Sequence, residues 1–469
     1  MSSQTTELTS FIDDNKILSL LENGKKADKS RALAIVVKAR EAKGINLDEL
    51  AVLLQSDDPD VISAIYKAAL HIKETVYGKR IVFFAPLYVS NVCANNCLYC
   101  GFRKDNTELT RKVLSTDEIK QEVEILLSEG HKRLLLVAGE HPTLSGIDYL
   151  ETAIKAAYDA QLGNAKMRRI NVNCAPLSVE DFKRLKATQI GTYQCFQETY
   201  HLDTYKVMHP SGPKSDYLWR LYAPDRAMEA GIDDVGIGAL FGLTDYKYEV
   251  MAVLMHALHL EEKYGVGPHT ISVPRIEPAL NAPAANQPPH AVTDDNMRKI
   301  IACFRLAVPY TGIILSTRER AEFRSELIAL GVSQVSAGSR TSPGGYHDEK
   351  AHMPKTEQFA IGDERTLAEV MNALCKDDYI PSFCTACYRT GRTGEHFMGI
   401  AKHGDIHQMC APNALLSLKE YLLDYADVET RLEGERVLNE CLADFDDNLR
   451  EKTKKLLEKV EQGERDVYV

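Results

Sequence analysis

The pattern of apolar and polar positions changes character once along the chain, near Gly78. From about residue 11 to 76, apolar residues recur at helical spacing, as in Lys16–Glu22 and Val61–Lys73. This predicts short amphipathic helices forming an N-terminal cap over residues 1–80. Beyond Gly78, short β-rich runs alternate with helical stretches, the pattern of a parallel α/β arrangement. Eight runs stand out: Ile81–Val89, Arg133–Glu140, Arg169–Cys174, Thr192–Thr199, Asp234–Phe241, Thr270–Ile276, Gly312–Thr317 and Gln334–Ala337. Between them, Thr116–Ser128, Asp245–Tyr264 and Asp294–Ala307 have helical periodicity, and Ser115 ahead of Asp117 and Glu118 has the form of an N-cap. Eight such strands predict a closed (β/α)8 TIM barrel over residues 81–340. The Gly/Pro-rich stretch Ser339–Pro354 is expected to leave the barrel for a mainly helical C-terminal region, 341–469. Its charged tail, Glu451–Arg465, is expected as a solvated helix.

The chain has 469 residues, 44% of them hydrophobic, enough for one large enzyme core with appended segments. A formal charge of −11 without a long Lys/Arg run argues against a nucleic-acid surface or an anionic membrane surface. Small molecules and proteins are the expected partners. The N-terminus lacks a basic segment leading into an apolar one, and no stretch reaches the roughly 18 apolar residues of a membrane span, so a cytoplasmic protein is expected. The 11 cysteines are an odd number and six fall in two tight sets, which favours metal binding over a disulfide framework.

The first set, Cys93, Cys97 and Cys100, follows the first predicted strand, so three thiols emerge at the C-terminal mouth of the barrel, where such folds do chemistry. Three thiolates can hold three irons of a four-iron cluster and leave the fourth open to SAM, whereas a closed structural site wants four ligands. The alternative is a zinc knuckle completed by a distant His or Cys. The C-x3-C-x2-C spacing resembles the signature of the radical S-adenosylmethionine (SAM) superfamily, in which the aromatic residue before the last cysteine, here Tyr99, lies near the adenine. The resemblance implies a [4Fe-4S] cluster that cleaves SAM to methionine and a 5′-deoxyadenosyl radical.

Other candidates sit at predicted strand ends. Gly139 would let backbone approach a ligand while Glu140 meets an ammonium. Ala138-Gly139-Glu140 resembles the family's Gly-Gly-Glu element, with Ala138 in place of the first Gly; an ordinary buried acid is the alternative. Glu198 offers a second carboxylate for SAM at the same face. Gly236, Gly238 and Gly242 lack the strand-turn-helix context of a phosphate loop, and as small residues they are expected to admit adenosine. Arg275 and Arg318 are candidates for the carboxylate of an amino-acid substrate, with an internal salt bridge as the alternative. Cys174, Cys195, Cys303, Cys375 and Cys441 are expected as small buried apolar residues.

The second set is Cys384, Cys387 and Cys410. By spacing alone, a zinc site completed by His403 or His407 remains open. The two sets in this order, with GVGPHTISVPR and ILSTRE between them, resemble the tyrosine lyase maturases of [FeFe]-hydrogenase along nearly the whole chain. The related 2-iminoacetate synthases of thiamine biosynthesis share the barrel and lack the cysteine-bearing extension. The resemblance implies that L-tyrosine is cleaved at its Cα–Cβ bond to p-cresol and dehydroglycine, and that the latter becomes carbon monoxide and cyanide. It implies an auxiliary [4Fe-4S] cluster on Cys384, Cys387 and Cys410 carrying an additional iron ([5Fe-5S]-type), bridged by free L-cysteine. It also implies other hydrogenase maturation proteins and an electron donor as partners. By the GPHT segment, the histidine ligand to the extra iron falls on His269.

His269 begins the sixth predicted strand and therefore belongs at the N-terminal mouth, opposite the first cysteine set. Two clusters at opposite ends would require small products to travel through the barrel interior. The competing readings are a thiamine-pathway lyase with a structural C-terminal metal, and an iron–sulfur carrier or scaffold without turnover.

Overall fold

The computed structural model describes residues 9–348, 356–391, 393, 394, 399 and 407–469. Eight parallel strands close on themselves: β1 (Arg80–Ser90), β2 (Arg133–Ala138), β3 (Arg169–Asn173), β4 (Tyr193–Gln194), β5 (Val235–Gly238), β6 (Thr270–Ser272), β7 (Gly312–Leu315) and β8 (Gln334–Ser336). They pair in chain order, and β8 returns to β1 with Val82 opposite Gln334 and Phe84 opposite Ser336. Closure satisfies both edges of every strand, and the intervening helices complete the (β/α)8 barrel.

Each predicted run coincides with a strand; β1 exceeds its run by one residue at each end, whereas the other seven stop short of the predicted C-terminal ends. The run 192–199 is hydrogen-bonded as a strand only at Tyr193–Gln194. Beyond it the backbone turns: Glu198 has φ +70° and makes a single bridge to Ala239. Thr199 Oγ1 and the Tyr200 N–H then donate to the buried carboxylate of Glu249. Residues that look like strand in sequence thus build the mouth of the barrel. Helices Thr116–Ser128 and Asp294–Ala307 occupy their predicted ranges, and Asp245 caps Tyr246–Tyr264 instead of beginning it. Ser115 and Glu118 form a reciprocal capping box.

Four N-terminal helices, Asp14–Gly24, Lys29–Ala39, Leu47–Gln55 and Pro59–Tyr77, begin at Asp13, Asp28, Asn46 and Asp58, whose side chains accept backbone N–H groups of the first turn. They cover the outer helices Tyr246–Tyr264 and Asp294–Ala307, burying Ile65, Ala68, Ala69 and Ile72. No helix among the described residues is long and apolar enough to cross a membrane.

The stretch after β8 does not lead straight away from the barrel. The Tyr346 hydroxyl donates to the Pro86 carbonyl (2.8 Å), and Gly362 N donates to the Thr317 carbonyl (2.8 Å), so its described residues cross the C-terminal mouth. Residues 349–354 of the expected linker lie outside the described residues. After the helix Leu367–Lys376, the chain re-enters the sheet as β9 (Ile380–Ser382), parallel to Arg80–Val82. Val82 partners both Gln334 and Ser382, so β8 and β9 lie on opposite edges of β1. β9 therefore extends the β2 edge toward the N-terminal mouth.

The helices His407–Asp424, Val428–Ala443 and Asp447–Glu461 pack on one another beside β9. The charged tail is not solvated all round, as expected from its composition, because Thr453, Leu457 and Val460 form a buried stripe. Cys174, Cys195, Cys303 and Cys375 are buried as expected, whereas Cys441 is only half-buried.

Candidate functional site

The loop after β1 carries Cys93, Cys97 and Cys100 and is held from several sides. The Arg111 guanidinium donates to the carbonyls of Asn91, Phe102 and Arg103. Asn96 N donates to Ser211 O (3.1 Å), Leu98 N to Met208 O (3.1 Å) and Gly101 N to Gln358 O (3.0 Å). Gly212 allows this approach: it has φ +95°, and a Cβ there would lie 2.5 Å from Asn95 Oδ1. At Gly139 a Cβ would lie 2.5 Å from the Val92 carbonyl. Its smallness thus admits the cysteine loop, where the sequence suggested a ligand.

The three cysteines open onto a cavity at the C-terminal, upper mouth, which is also lined by Tyr99, Glu140, Glu198, Lys214, Arg220 and Arg318. The Tyr99 hydroxyl hydrogen-bonds His209 Nε2 (2.7 Å), and Asn95 Nδ2 donates to Glu140 Oε2 (2.7 Å). Burial pushes the Glu198 carboxyl up, but Lys214 (2.7 Å) and Arg220 outweigh it and hold it below the usual carboxylate range. Burial pushes the Cys97 thiol up to about 12 and raises Cys100 as well. These sulfurs become good anions only with a cation among them, which suits three soft donors facing a metal.

Arg318 stacks over Phe359, 3.3 Å from the ring centroid, and makes no ion pair among the described residues. Arg275 is not in the cavity. It forks onto Glu319, also pairs with Asp294 (2.9 Å), and donates to Val292 O (3.0 Å). The expected substrate role for Arg275 is therefore replaced by an internal salt bridge, since its fork is already filled by carboxylates. The glycines of β5 do not line the cavity either. Cβ atoms there would meet Thr270 Oγ1 at Gly236 and the Ser272 carbonyl at Gly238, each at 2.5 Å, so their smallness lets β6 come close.

At the opposite, lower mouth, β9 delivers Cys384, the short helix Ala386–Arg389 carries Cys387 and Tyr388, and the helix His407–Asp424 carries Cys410. All three cysteines line one cavity together with His269, Tyr77, Arg80, Arg133 and Gln334. His269 precedes β6, and its backbone is fixed by His269 N donating to Val235 O (2.8 Å) and Gly312 N donating to His269 O (3.0 Å). His269 Nδ1 lies 3.5 Å from Asp234 Oδ1, while Nε2 meets the Tyr388 hydroxyl at 3.0 Å. A carboxylate behind one ring nitrogen suits a metal ligand, and the other nitrogen is held by the Tyr388 hydroxyl, which a metal would displace. Burial, together with Arg169, Arg133 and Arg80, pulls the imidazole down to about 4, which keeps it neutral as a ligand must be. Burial raises Cys384, and hydrogen bonding with Cys410 raises Cys387.

His403 lies outside the described residues, as does the side chain of His407. Among the described residues, no three His, Cys, Asp or Glu side chains gather tightly enough for a single metal ion. A four-iron cube needs its thiolates farther apart than one ion does. The two cavities share no lining residue. On β1, β2 and β8 the lining steps from Val82 to Phe84, from Arg133 to Leu135 and from Gln334 to Ser336, successive positions on one face of each strand.

Sequence reasoning missed Lys214 and Arg220, which arrive from a 3-10 turn and a short helix after β4, and Gln358 and Phe359, which arrive from a loop, none of them in a motif. It also missed Arg80, Arg133 and Arg169. For these a signal existed, because each begins a strand and so belongs at the same mouth as His269.

Known proteins extend the picture. Residues 87–256 match the Radical SAM superfamily, and residues 272–380 match the Biotin and Thiamin Synthesis associated domain. The chain is 35% identical over 353 residues to 2-iminoacetate synthase of Salmonella typhimurium, covering 75% of this chain and 89% of that one. It is similar to the crystal structure of HydG, a maturase of the [FeFe]-hydrogenase, at 53% identity and a TM-score of 0.95, covering 98% of this chain and 100% of the other. The HydG structure from Carboxydothermus hydrogenoformans follows at 41% identity and a TM-score of 0.81, covering 95% and 99%. Superfamily membership implies a [4Fe-4S] cluster with SAM, and the three thiols at the upper mouth fit it. With the barrel, its cysteine-bearing upper mouth and these near-complete likenesses, the chain belongs to the radical SAM family of 2-iminoacetate synthase and HydG, and within it to the HydG-like maturases.

Proposed function

We propose that the chain is a tyrosine lyase that supplies diatomic ligands for the hydrogenase active-site cluster. L-tyrosine is cleaved at Cα–Cβ to p-cresol and dehydroglycine at the upper mouth. The fragment yields carbon monoxide and cyanide, which are assembled on an extra iron at the lower mouth. A [4Fe-4S] cluster with SAM supplies, when bound, the 5′-deoxyadenosyl radical that takes a hydrogen from the tyrosine amino group.

In this reading Cys93, Cys97 and Cys100 hold that cluster and leave one iron for SAM. Glu140, oriented by Asn95, receives the SAM ammonium, and Tyr99, fixed by His209, lies beside the adenine. Glu198 completes the cofactor side, with its charge matched by Lys214 and Arg220. Arg318, free of carboxylate partners among the described residues, takes the substrate carboxylate by a two-pronged contact. Gln358 and Phe359 lie over the mouth and exclude water. At the lower mouth Cys384, Cys387 and Cys410 hold an auxiliary cluster, and His269 binds the extra iron, with free L-cysteine as the bridge. The proposed partners are other hydrogenase maturation proteins and an electron donor.

The observation that carries this reading is the convergence of Cys384, Cys387, Cys410 and His269 on one cavity, from three separate segments of the chain. The barrel lyase alone does not need it. Anaerobic protein with SAM, reductant and tyrosine is expected to give 5′-deoxyadenosine, p-cresol, carbon monoxide and cyanide. Formation of p-cresol without carbon monoxide would indicate a lyase of the thiamine type with a structural C-terminal metal, and absence of every product a carrier.

A further inference from the structure

The segment that crosses the upper mouth after β8 brings a side-chain donor to one of the three upper thiols. Gln358 Nε2 donates to the Cys100 sulfur (3.6 Å), and the Tyr88 hydroxyl donates to Gln358 Oε1 (2.8 Å). A metal-bound thiolate only accepts, so the amide nitrogen faces the sulfur and the amide oxygen is left for the tyrosine. The backbone fixes the amide from both sides. Gln358 N donates to Thr341 O (3.0 Å), Gly101 N donates to Gln358 O (3.0 Å), and Thr341 Oγ1 donates to Phe359 O (3.0 Å). Gly101, next to Cys100, makes room for this approach: a Cβ there would lie 2.7 Å from the Glu357 carbonyl oxygen and 2.8 Å from that of Gln358. Tyr88 is buried on β1, edge-on to Phe102 with 5.9 Å between ring centroids. A donor held at each of its ends thus reaches Cys100 from 258 residues away in sequence.

We propose that the Gln358 amide, aimed by Tyr88 as its positioning residue, makes the cluster on Cys93, Cys97 and Cys100 easier to reduce. Iron–sulfur potentials are set in part by hydrogen bonds to the sulfurs. One electron arrives from an external one-electron donor, adds negative charge to the cluster and its thiolates, and no proton is transferred. A fixed N–H dipole at Cys100 stabilises the more negative state more than the less negative one. Because the amide is neutral, it does so without a cation that would repel the sulfonium of SAM. Phe359, the next residue, touches no sulfur in this way and stacks on Arg318 instead. The inference rests on the reading of the upper thiols as cluster ligands, and its test separates the two.

The full-length protein, reconstituted anaerobically with iron and sulfide, is titrated with dithionite at fixed pH while the reduced cluster is followed by paramagnetic resonance. The signal that changes shape on adding SAM belongs to the upper thiols. Gln358→Leu keeps the bulk and removes the donor, and is expected to lower the electron affinity of that cluster about tenfold, a fall of about 59 mV for one electron. Tyr88→Phe frees the amide to turn and is expected to lower it about threefold. Phe359→Leu opens the mouth to water but keeps the donor, so no fall is expected. An unchanged potential in Gln358→Leu, with the signal intact, overturns the proposal and leaves the cluster standing. An equal fall in Phe359→Leu also overturns it, because packing of the segment and not the donor would then set the potential. Absence of any SAM-responsive signal in the unaltered protein overturns the cluster reading as well. Should Gln358→Leu fail to bind the cluster, Tyr88→Phe, whose ring meets no sulfur, decides by the same comparison with Phe359→Leu.

Discussion

Each mouth of the barrel has a set of three candidate ligand cysteines, and the two sets stand in opposite surroundings. At the upper mouth all three come from one eight-residue loop, and the charges around them are mixed: Glu140 and Glu198 face Lys214, Arg220 and Arg318. Such a surface can bind a zwitterion at both ends, which suits SAM and an amino acid together. At the lower mouth the cysteines come from a strand end, a short helix and a long helix, and among the described residues Arg80 and Arg133 line the cavity, with Asp234 behind His269. That surface suits anions. In the proposed function this contrast would put recognition of amino acids at one end and handling of small anionic fragments at the other.

The sharpest way to break this division is to remove an upper sulfur. Cys97→Ala is expected to reduce 5′-deoxyadenosine, p-cresol and carbon monoxide together to background, read by chromatography and a haemoglobin carbon monoxide assay. Survival of carbon monoxide would place its source elsewhere. Next in size, the double change Cys384→Ala and Cys387→Ala is expected to abolish carbon monoxide while p-cresol stays within about threefold, with iron falling from about eight to about four per chain. If every product persisted, the lower mouth would have no chemical part.

His269→Ala is expected to keep both clusters and lose the paramagnetic resonance signal of the extra iron, with carbon monoxide reduced and p-cresol within about twofold. An unchanged signal would exclude His269 as the ligand. Arg318→Lys keeps the charge but loses the fork, so the KM for tyrosine is expected to rise about 10- to 100-fold, with SAM cleavage continuing without substrate turnover. An unaltered KM would move the carboxylate site away from Arg318.

The smallest effect concerns stability of the upper mouth alone. Burial pushes Glu249, which holds Thr199 and Tyr200 just beyond Glu198, up to about 7. A raised carboxyl pKa means that the folded chain keeps its proton while the unfolded chain ionises. Its stabilisation is therefore full below about pH 4.5 and declines as pH rises to about 7, by roughly 3 kcal/mol in all. Glu249→Gln is expected to flatten that part of the slope in urea unfolding between pH 5 and 8. An equal slope in both proteins would mean that Glu249 is already ionised.

Much of this arrangement is fixed by local sequence. Short β-rich runs and capped helices set the eight strands and the helices between them, because backbone hydrogen bonding and local apolar patterning are near-neighbour properties. The spacing of Cys93, Cys97 and Cys100 sets the upper thiols for the same reason: one short loop carries them all. His269 could be placed at the lower mouth from its position before a strand, because chain direction in a parallel barrel decides the mouth.

Tertiary structure decided the rest. Arg275 and Arg318 look alike in sequence, yet Glu319 and Asp294 occupy one while Phe359 leaves the fork of the other open to the cavity. Sequence brings Cys410 no closer to Cys384 than a long interval. Only the pairing of Ile380–Ser382 with Arg80–Val82, and the helix His407–Asp424 packed beside it, bring these cysteines to His269. Side chains from distant segments meet only where packing and charge balance are satisfied together, and neither is a property of any single stretch of chain.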